Sequence, residues 1–242
     1  MKRISVITIN YNNSEGLRKT IDSVVSQSFR DFEFIVIDGK STDTSVDIIK
    51  KCDRIDHWES EKDGGIYNAQ NKGISKATGE YLLFLNSGDM LAEPGTLQKM
   101  AVNLGSTDIL YGDLVTLSNT GVMKTEISPD KLDIYHFMIS TLWHPCSFIS
   151  AALFRKYGNY NEHLKIAGDY EFFVRTILKN KASYRHISVP VAIFDMSGVS
   201  NDPANEKLQA AERKKSWLLN YSPLKVKLFE SYIKLVRRLG HK

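Results

Sequence analysis

Short apolar runs alternate with amphipathic stretches through the first hundred residues. Ile4-Ser5-Val6-Ile7-Thr8-Ile9 is β-branched and predicts a strand. After the loop Asn10-Tyr11-Asn12-Asn13-Ser14, the residues Leu17, Ile21, Val24 and Val25 recur at helical spacing, with Ser14 as the expected N-cap. The pattern then predicts a strand over 32–37, a helix around Val46, Ile48 and Ile49, a weaker strand over 55–59 and a helix over 66–76. Residues 81–85 are apolar throughout, as in a strand buried on both faces of a parallel sheet, and run straight into Asn86-Ser87-Gly88-Asp89. The resulting β-α-β-α-β-α-β order is the signature of an α/β, doubly wound parallel sheet. Loops that follow its strands share the carboxyl edge, where such sheets bind ligands. Asn10, Asp38 and Asp89 are therefore expected to converge.

Beyond Asp89 the alternation loosens. A helix is predicted over 95–104, a strand over 109–111, a hairpin around Asn119-Thr120-Gly121, and helices over 151–157 and 169–178. Two short strands, 183–187 and 191–195, precede a helical tail broken at Ser222-Pro223. With no internal repeat and no low-complexity linker, the second half is expected to complete one domain.

Charge changes the picture of the tail. The net charge is +4, yet residues 207–242 hold ten basic and two acidic side chains, so the remainder carries −4. An acidic body with a basic tail argues against nucleic acid as a partner and is compatible with an anionic membrane surface. Two cysteines cannot build a disulfide framework, and no apolar run is long enough to span a bilayer. No signal-peptide core follows Met1. A cytoplasmic protein, soluble or peripheral to the membrane, is expected.

The polar loops narrow the chemistry. A Gly-rich dinucleotide fingerprint, an ATPase phosphate loop, a nucleophile elbow and a His-Glu-x-x-His pair are all missing. What remains is a set of carboxylates at strand ends: Asp38, Asp63, Asp89 and, further on, Asp169. Such a set suits a hard divalent cation on a diphosphate, with one carboxylate left for proton transfer.

Thr8-Ile9-Asn10-Tyr11-Asn12, Ile37-Asp38-Gly39-Lys40-Ser41-Thr42-Asp43, Asp63-Gly64-Gly65-Ile66-Tyr67-Asn68-Ala69, Asn71-Lys72-Gly73, Ala77-Thr78-Gly79-Glu80-Tyr81 and Phe84-Leu85-Asn86-Ser87-Gly88-Asp89 occur in that order. Together they resemble the family 2 glycosyltransferases of the GT-A fold, including enzymes of bacterial surface polysaccharides of the colanic-acid type. The resemblance extends more loosely through His144, Ala167-Gly168-Asp169 and Gly198-Val199-Ser200. It implies a Rossmann-like, mostly parallel sheet flanked by helices over 1–204, with a nucleotide-sugar half (1–100) and an acceptor half (101–204). A basic amphipathic helical tail, 205–242, would follow.

The resemblance also implies roles. Thr8, Asn10, Tyr11, Asp38, Asp63, Asn71, Asn86 and Ser87 would bind the nucleotide-sugar, with Asp38 accepting from uracil. Asp89 would hold Mg2+ or Mn2+. Asp169 would be the base, and His144 would face the acceptor or diphosphate. Each has a plainer reading: Asp38 and Asp169 as helix caps, Asp63 as the start of an Asp-Gly turn, His144 as a packed imidazole. Four positions depart from the family pattern, one of them Gly168, which stands before Asp169 where relatives carry an acid. Asn86 and Gly88 stand where many relatives have carboxylates, and Gly39 follows Asp38 where a second acid is usual.

The expected activity is inverting transfer of a hexosyl or hexosaminyl group from a nucleotide-sugar, UDP-linked, to a hydroxyl on a glycan or lipid-linked glycan. Alternatives are a polyprenyl-phosphate acceptor, a sugar-phosphate nucleotidylyltransferase (whose Gly-rich, Arg-containing N-terminal loop is missing here) and a non-catalytic sugar-nucleotide-binding module. An oligomer is compatible with the sequence.

Overall fold

The uninterrupted apolar runs become the middle of a nine-stranded sheet in the computed structural model, which describes residues 2–118, 120–196 and 203–238. The strands are β1 (Ile4–Asn10), β2 (Phe32–Asp38), β3 (His57–Ser60), β4 (Tyr81–Phe84), β5 (Met90–Leu91), β6 (Ile109–Leu117), β7 (Met123–Glu126), β8 (Ser147–Ser150) and β9 (Tyr184–Asp195). Their order is β3-β2-β1-β4-β8-β6-β9-β5, with β7 paired to β6. β3, β2, β1 and β4 run parallel, as the alternation predicts. β8 is antiparallel to both β4 and β6, so the second half joins the same sheet in mixed orientation. The helices are α1 (Ser14–Val25), α2 (Ser45–Lys50), α3 (Ile66–Lys76), α4 (Thr96–Ala101), α5 (Ile134–Ile139), α6 (Ala151–Tyr157), α7 (Gly168–Phe173), α8 (Glu206–Asn220) and α9 (Pro223–Arg238).

Both faces of the sheet are covered. Along β1, β2 and β4 the residues Ile7, Ile35, Ile37 and Phe84 enter one core, while Val6, Phe34, Val36 and Leu83 enter the other. That is the period-2 alternation of a pleated strand, and it explains why these runs carry no polar face.

Several local expectations change. The cap of α1 is Asn13, whose Oδ1 accepts from the Gly16 amide at 3.1 Å; the Ser14 amide instead donates to Asp43. The two strands expected over 183–195 are one strand, β9, which shifts register against β6 around Asp113. The helix expected over 169–178 is α7 followed by a π-helical turn, Val174–Lys179. Helix α5 and the two-residue strand β5 are too short to leave a period in the sequence. The expected hairpin forms between β6 and β7, although Asn119 lies outside the described residues.

Packing on the second half fixes the position of α7. Phe154 and Phe172 stack with ring centroids 4.5 Å apart, and Tyr160 and Phe84 meet edge-on at 5.2 Å. Each such pair contributes roughly 0.5–1.5 kcal/mol beyond its buried area. Helix α8 holds α7 from the other side. The Trp217 indole donates to the Tyr170 hydroxyl at 2.7 Å, and Asn220 donates to Glu171 at 2.9 Å. Glu212 is buried and takes the backbone amides of Lys165, Ile166 and Ala167 at 2.7, 2.9 and 3.0 Å. That loop leads directly into Asp169.

Candidate active site

Three polar loops meet at the carboxyl edge of β1, β2 and β4. Asn10 ends β1, and its amide donates to Asp38 Oδ1 across the parallel register at 2.8 Å. The Ser87 hydroxyl, beyond β4, donates to Asn10 Oδ1 at 2.7 Å. Asn10, Tyr11, Asp63, Asn86, Ser87, Asp89 and His144 all line one cleft. The convergence of Asn10, Asp38 and Asp89 expected from the loop positions is what the fold produces.

Within this cleft the candidate residues differ in availability. Tyr11 is 67% exposed, so an aromatic face stands open at the cleft. Asp63 lines the cleft while its Oδ1 caps the Gly65 amide at 2.9 Å, so the turn role and the cleft role coexist. Asp38 lies below the surface and is fully buried. It accepts from Asn10, from the Ser41 amide and hydroxyl, and from the Ser60 hydroxyl. Burial alone would raise its pKa; those hydrogen bonds outweigh burial and hold it below the ordinary value.

Asp38, Thr8 and Asn71 do not line the cleft. The Thr8 hydroxyl is buried and donates to the Leu85 carbonyl at 2.7 Å, bracing β1 against the end of β4. Asn71 points to the other side of α3. Its amide donates to the Tyr160 carbonyl and Glu162 and accepts from the Tyr160 amide, which ties α3 to the loop before α7. Neither side chain lines the cleft; the polar groups of both are engaged within the protein.

Beside the cleft lies a separate cavity that contains Asp169. His144 and Phe194 line both, so the two depressions meet there. His144 opens a single 3-10 turn, His144–Cys146, which leads into β8. Its Nδ1 is 3.0 Å from Asp169 Oδ2, and its Nε2 is 3.2 Å from the Asn86 amide. Since the carboxylate can only accept, Nδ1 carries a proton. Burial disfavours the imidazolium, but the hydrogen bond and charge of Asp169, with the charge of Asp89, raise the His144 pKa.

Asp169 sits in the first turn of α7, one residue past Gly168. The cap residue is Ala167, so the carboxylate is not spent on capping the helix from outside. It accepts from the Tyr170 amide at 2.8 Å, the Tyr67 hydroxyl at 3.0 Å and His144. Burial works against ionisation; the His144 hydrogen bond and charge, then the other donors, hold its pKa below the ordinary carboxylate value. Gly168 now has a reason. A Cβ there would lie 2.7 Å from the Tyr67 ring, the ring whose hydroxyl holds Asp169. Gly39 likewise leaves room beside Asp63, whose Oδ2 would be 2.6 Å from an added Cβ.

Asp89 is 4% exposed and lines the cleft. Burial raises its pKa to about 7, with the charge of Asp195 adding and that of His144 opposing. The Asp195 amide donates to Asp89 Oδ1 at 3.3 Å, and Asp195 lines the same cleft. Gly88, at φ +109°, turns the chain so that Asp89 points inward, a conformation a carboxylate residue would adopt only under strain. Among the described residues no group of three or more His, Cys, Asp or Glu side chains could hold a metal by itself.

Sequence reasoning passed over Asp195, which lines the cleft, Trp143 and Arg213, which line the cavity, and Glu212, which holds the loop before α7. Asp195 carried a weak signal, as a carboxylate ending a predicted strand. Glu212 carried another, as one of two acids in a basic stretch. Gly198-Val199-Ser200 lies outside the described residues.

A family model described as "Glycosyl transferase family 2" matches residues 5–128. The chain belongs to this family. An uncharacterized glycosyltransferase of Mycobacterium tuberculosis is 34% identical over 215 residues, covering 82% of this chain and 77% of that protein. A PGL/p-HBAD biosynthesis glycosyltransferase of Mycobacterium bovis is 31% identical over 206 residues, covering 81% and 78%. Among solved structures, S. aureus TarS 1–349 in complex with UDP-GlcNAc has TM-score 0.67 at 22% identity, covering 80% of this chain and 58% of that one. The mannosyltransferase PcManGT from Pyrobaculum calidifontis, in complex with GDP-Man and Mn2+, has TM-score 0.60 at 14% identity, covering 99% and 76%. The structural matches establish the GT-A fold, and the family match makes this glycosyltransferase an enzyme of that fold.

Proposed function

We propose that this family 2 glycosyltransferase transfers a sugar from a UDP-sugar to a hydroxyl acceptor with inversion. The observation that carries the reading is the junction at His144. A polar cleft with Asp89 lies on one side, and a cavity with an ionised, well-held carboxylate lies on the other. Tyr11 offers its ring to the base, and Asn10, Asp63 and Ser87 offer polar contacts to ribose and diphosphate. Asp169 takes the proton from the acceptor hydroxyl, whose oxygen attacks the anomeric carbon as the diphosphate leaves from the opposite face. His144 orients Asp169 through the hydrogen bond from Nδ1 and stands where the two depressions meet.

A divalent cation fits the donor side. Asp89 is a buried carboxylate whose ionisation is disfavoured without a cation, and Asp195 faces it. Asp89 and Asp195 would hold Mg2+ or Mn2+, whose remaining ligands would be diphosphate and water. When bound, the cation neutralises the leaving diphosphate. The sequence pointed to Asp89 alone; Asp195 is proposed beside it because its amide donates to Asp89 and it lines the same cleft.

The named relative supports a surface glycolipid or polysaccharide as the setting. A panel of nucleotide-sugars with Mn2+ tests the activity. Slow release of UDP from one donor is expected. Tight binding with no hydrolysis, and no transfer to acceptor extracts, would leave a binding module instead.

Helix α9 adds a place of work. Val226, Phe229 and Ile233 turn inward, and Phe229 meets Trp217 at 5.6 Å. An apolar stripe at helical spacing, of the kind an amphipathic tail implies, faces the other way: Leu224, Leu228, Tyr232 and Leu235 are 52–69% exposed. Val236 is only half-buried, and Leu239 lies outside the described residues. Lys225, Lys227, Lys234 and Arg238 are exposed on the same helix. An apolar stripe flanked by cations matches an anionic lipid surface, where each basic residue adds about 1 kcal/mol. No helix among the described residues is long and apolar enough to cross a membrane. Wild-type protein should pellet with anionic vesicles at low salt and be released at high salt. Leu224→Ser with Leu228→Ser and Leu235→Ser should stay in the supernatant. Equal behaviour of the two proteins would exclude this face from lipid binding, and a change of oligomeric state in the triple variant would assign it to a second copy.

A further inference from the structure

The cavity that holds Asp169 has a volume of about 220 Å3. That is below the roughly 300–1,000 Å3 of sites for drug-sized ligands, so it takes one ring and not a run of sugars. Trp143, Pro145, Ile166 and Phe194 make much of its wall apolar. Such a wall suits the apolar face of a sugar or aromatic ring. Its charged groups are Asp169, His144 and Arg213. Asp169 and His144 are paired with each other.

Arg213 stands apart from that pair. It comes from α8, outside the stretch matched by the family model. Its guanidinium lies 4.5 Å from the Tyr170 ring centroid and donates to the Ser140 carbonyl. Among the described residues it has no carboxylate within ion-pair distance, unlike Arg54 and Arg175, which pair with Asp56 and Glu171. A guanidinium has five N–H donors in a planar fork that matches a phosphate or carboxylate. The ring contact and one backbone carbonyl fix its plane without neutralising it. An acceptor brought to Asp169 without such a cation would meet net negative charge from Asp169 if it were itself anionic.

We propose that this cavity is the acceptor subsite, and that it selects a single-ring acceptor unit bearing an anionic group, held by Arg213 while a ring hydroxyl faces Asp169. The proposal rests on the glycosyl-transfer reading for its orientation, but its recognition chemistry can be read separately. The shared chemistry is an anion on a hydroxylated ring, supplied by either a phosphate ester or a uronic acid.

Calorimetry with methyl β-glucoside, methyl β-glucuronide and methyl β-glucoside 6-phosphate, each titrated into the full chain with UDP and Mn2+ present, tests it. At least one charged probe should bind about tenfold or more tightly than the neutral glucoside, as expected for a hydrogen-bonded charge. The preference should shrink as salt is raised. Which of the two charged probes gains identifies the source of the anion. Arg213→Gln should erase the preference, and Arg213→Lys should keep part of it. Equal binding of all three probes by the wild type overturns the proposal, whatever the variants do. So does a preference that survives in Arg213→Gln, or a loss of affinity for all three probes together, which is what a purely structural Arg213 would give. Titration of UDP with Mn2+, without any probe, in the same instrument reports on the donor site. Failure there would sink the glycosyl-transfer reading, while the anion preference is scored independently.

Discussion

Asp169→Asn is expected to lower the transfer rate roughly 10²–10⁴-fold, the range typical of a lost general base, while leaving UDP affinity nearly unchanged. The separation follows from the geometry. Asp169 lines the cavity and not the donor cleft. The amide can still accept from Tyr67 and the Tyr170 amide through its oxygen. It cannot both do so and accept from His144, because its second atom is now a donor. Folding should therefore be little disturbed, and the His144 ring should lose its orienting partner. A transfer assay and calorimetry on one sample would check this, and transfer at the wild-type rate would remove Asp169 from the mechanism. Because His144 and the neighbouring donors hold the Asp169 pKa below its ordinary value of 3.8, this carboxylate is ionised throughout the neutral range. An acid limb near neutrality must then have another source.

Asp89 is that source, and Asp89→Ala should abolish cation-dependent UDP binding. Asn86→Ala should weaken it less, since a neutral amide is a poorer ligand for a hard cation. In the wild type, cation-dependent UDP affinity should fall as pH drops through about 7, where Asp89 takes up a proton and ceases to be a ligand. EDTA that changes neither UDP affinity nor turnover would refute the cation's role. The stability of the cation-free protein should run the opposite way. The folded pKa lies above the ordinary 3.8, so folding favours the protonated form. This group's contribution is fully present below about pH 4 and is lost as pH rises through about 7, at up to about 1.4 kcal/mol per pH unit. Asp89→Asn, neutral at every pH, should raise the melting temperature at pH 8 in EDTA and flatten that dependence. A melting curve in which wild type and Asp89→Asn respond identically to pH would place the charge of Asp89 in solvent.

The sequence by itself determined the first half of the sheet and the gathering of its polar loops. Runs such as Phe32 to Asp38 are buried along their whole length, and that demand is written residue by residue. Once such strands lie parallel, covalent continuity alone puts Asn10, Asp38 and Ser87 on one edge. The family motifs are likewise local strings.

Tertiary structure decided the rest. Asn71 matched a motif, yet its amide went to Tyr160 and Glu162, some ninety residues away. Asp195 reaches Asp89 across 106 positions, and Glu212 reaches Ala167 across 45. Helix α8 reads as a basic tail because its charges outnumber its anchors, but Glu212, Trp217 and Asn220 lock it onto the helix of Asp169 and bring Arg213 to the cavity. A hydrophobic period reports which face of an element is buried, never which partner buries it. Those partners are chosen by the packing of surfaces far apart in the chain, and the cavity that holds Asp169 is built from such contacts.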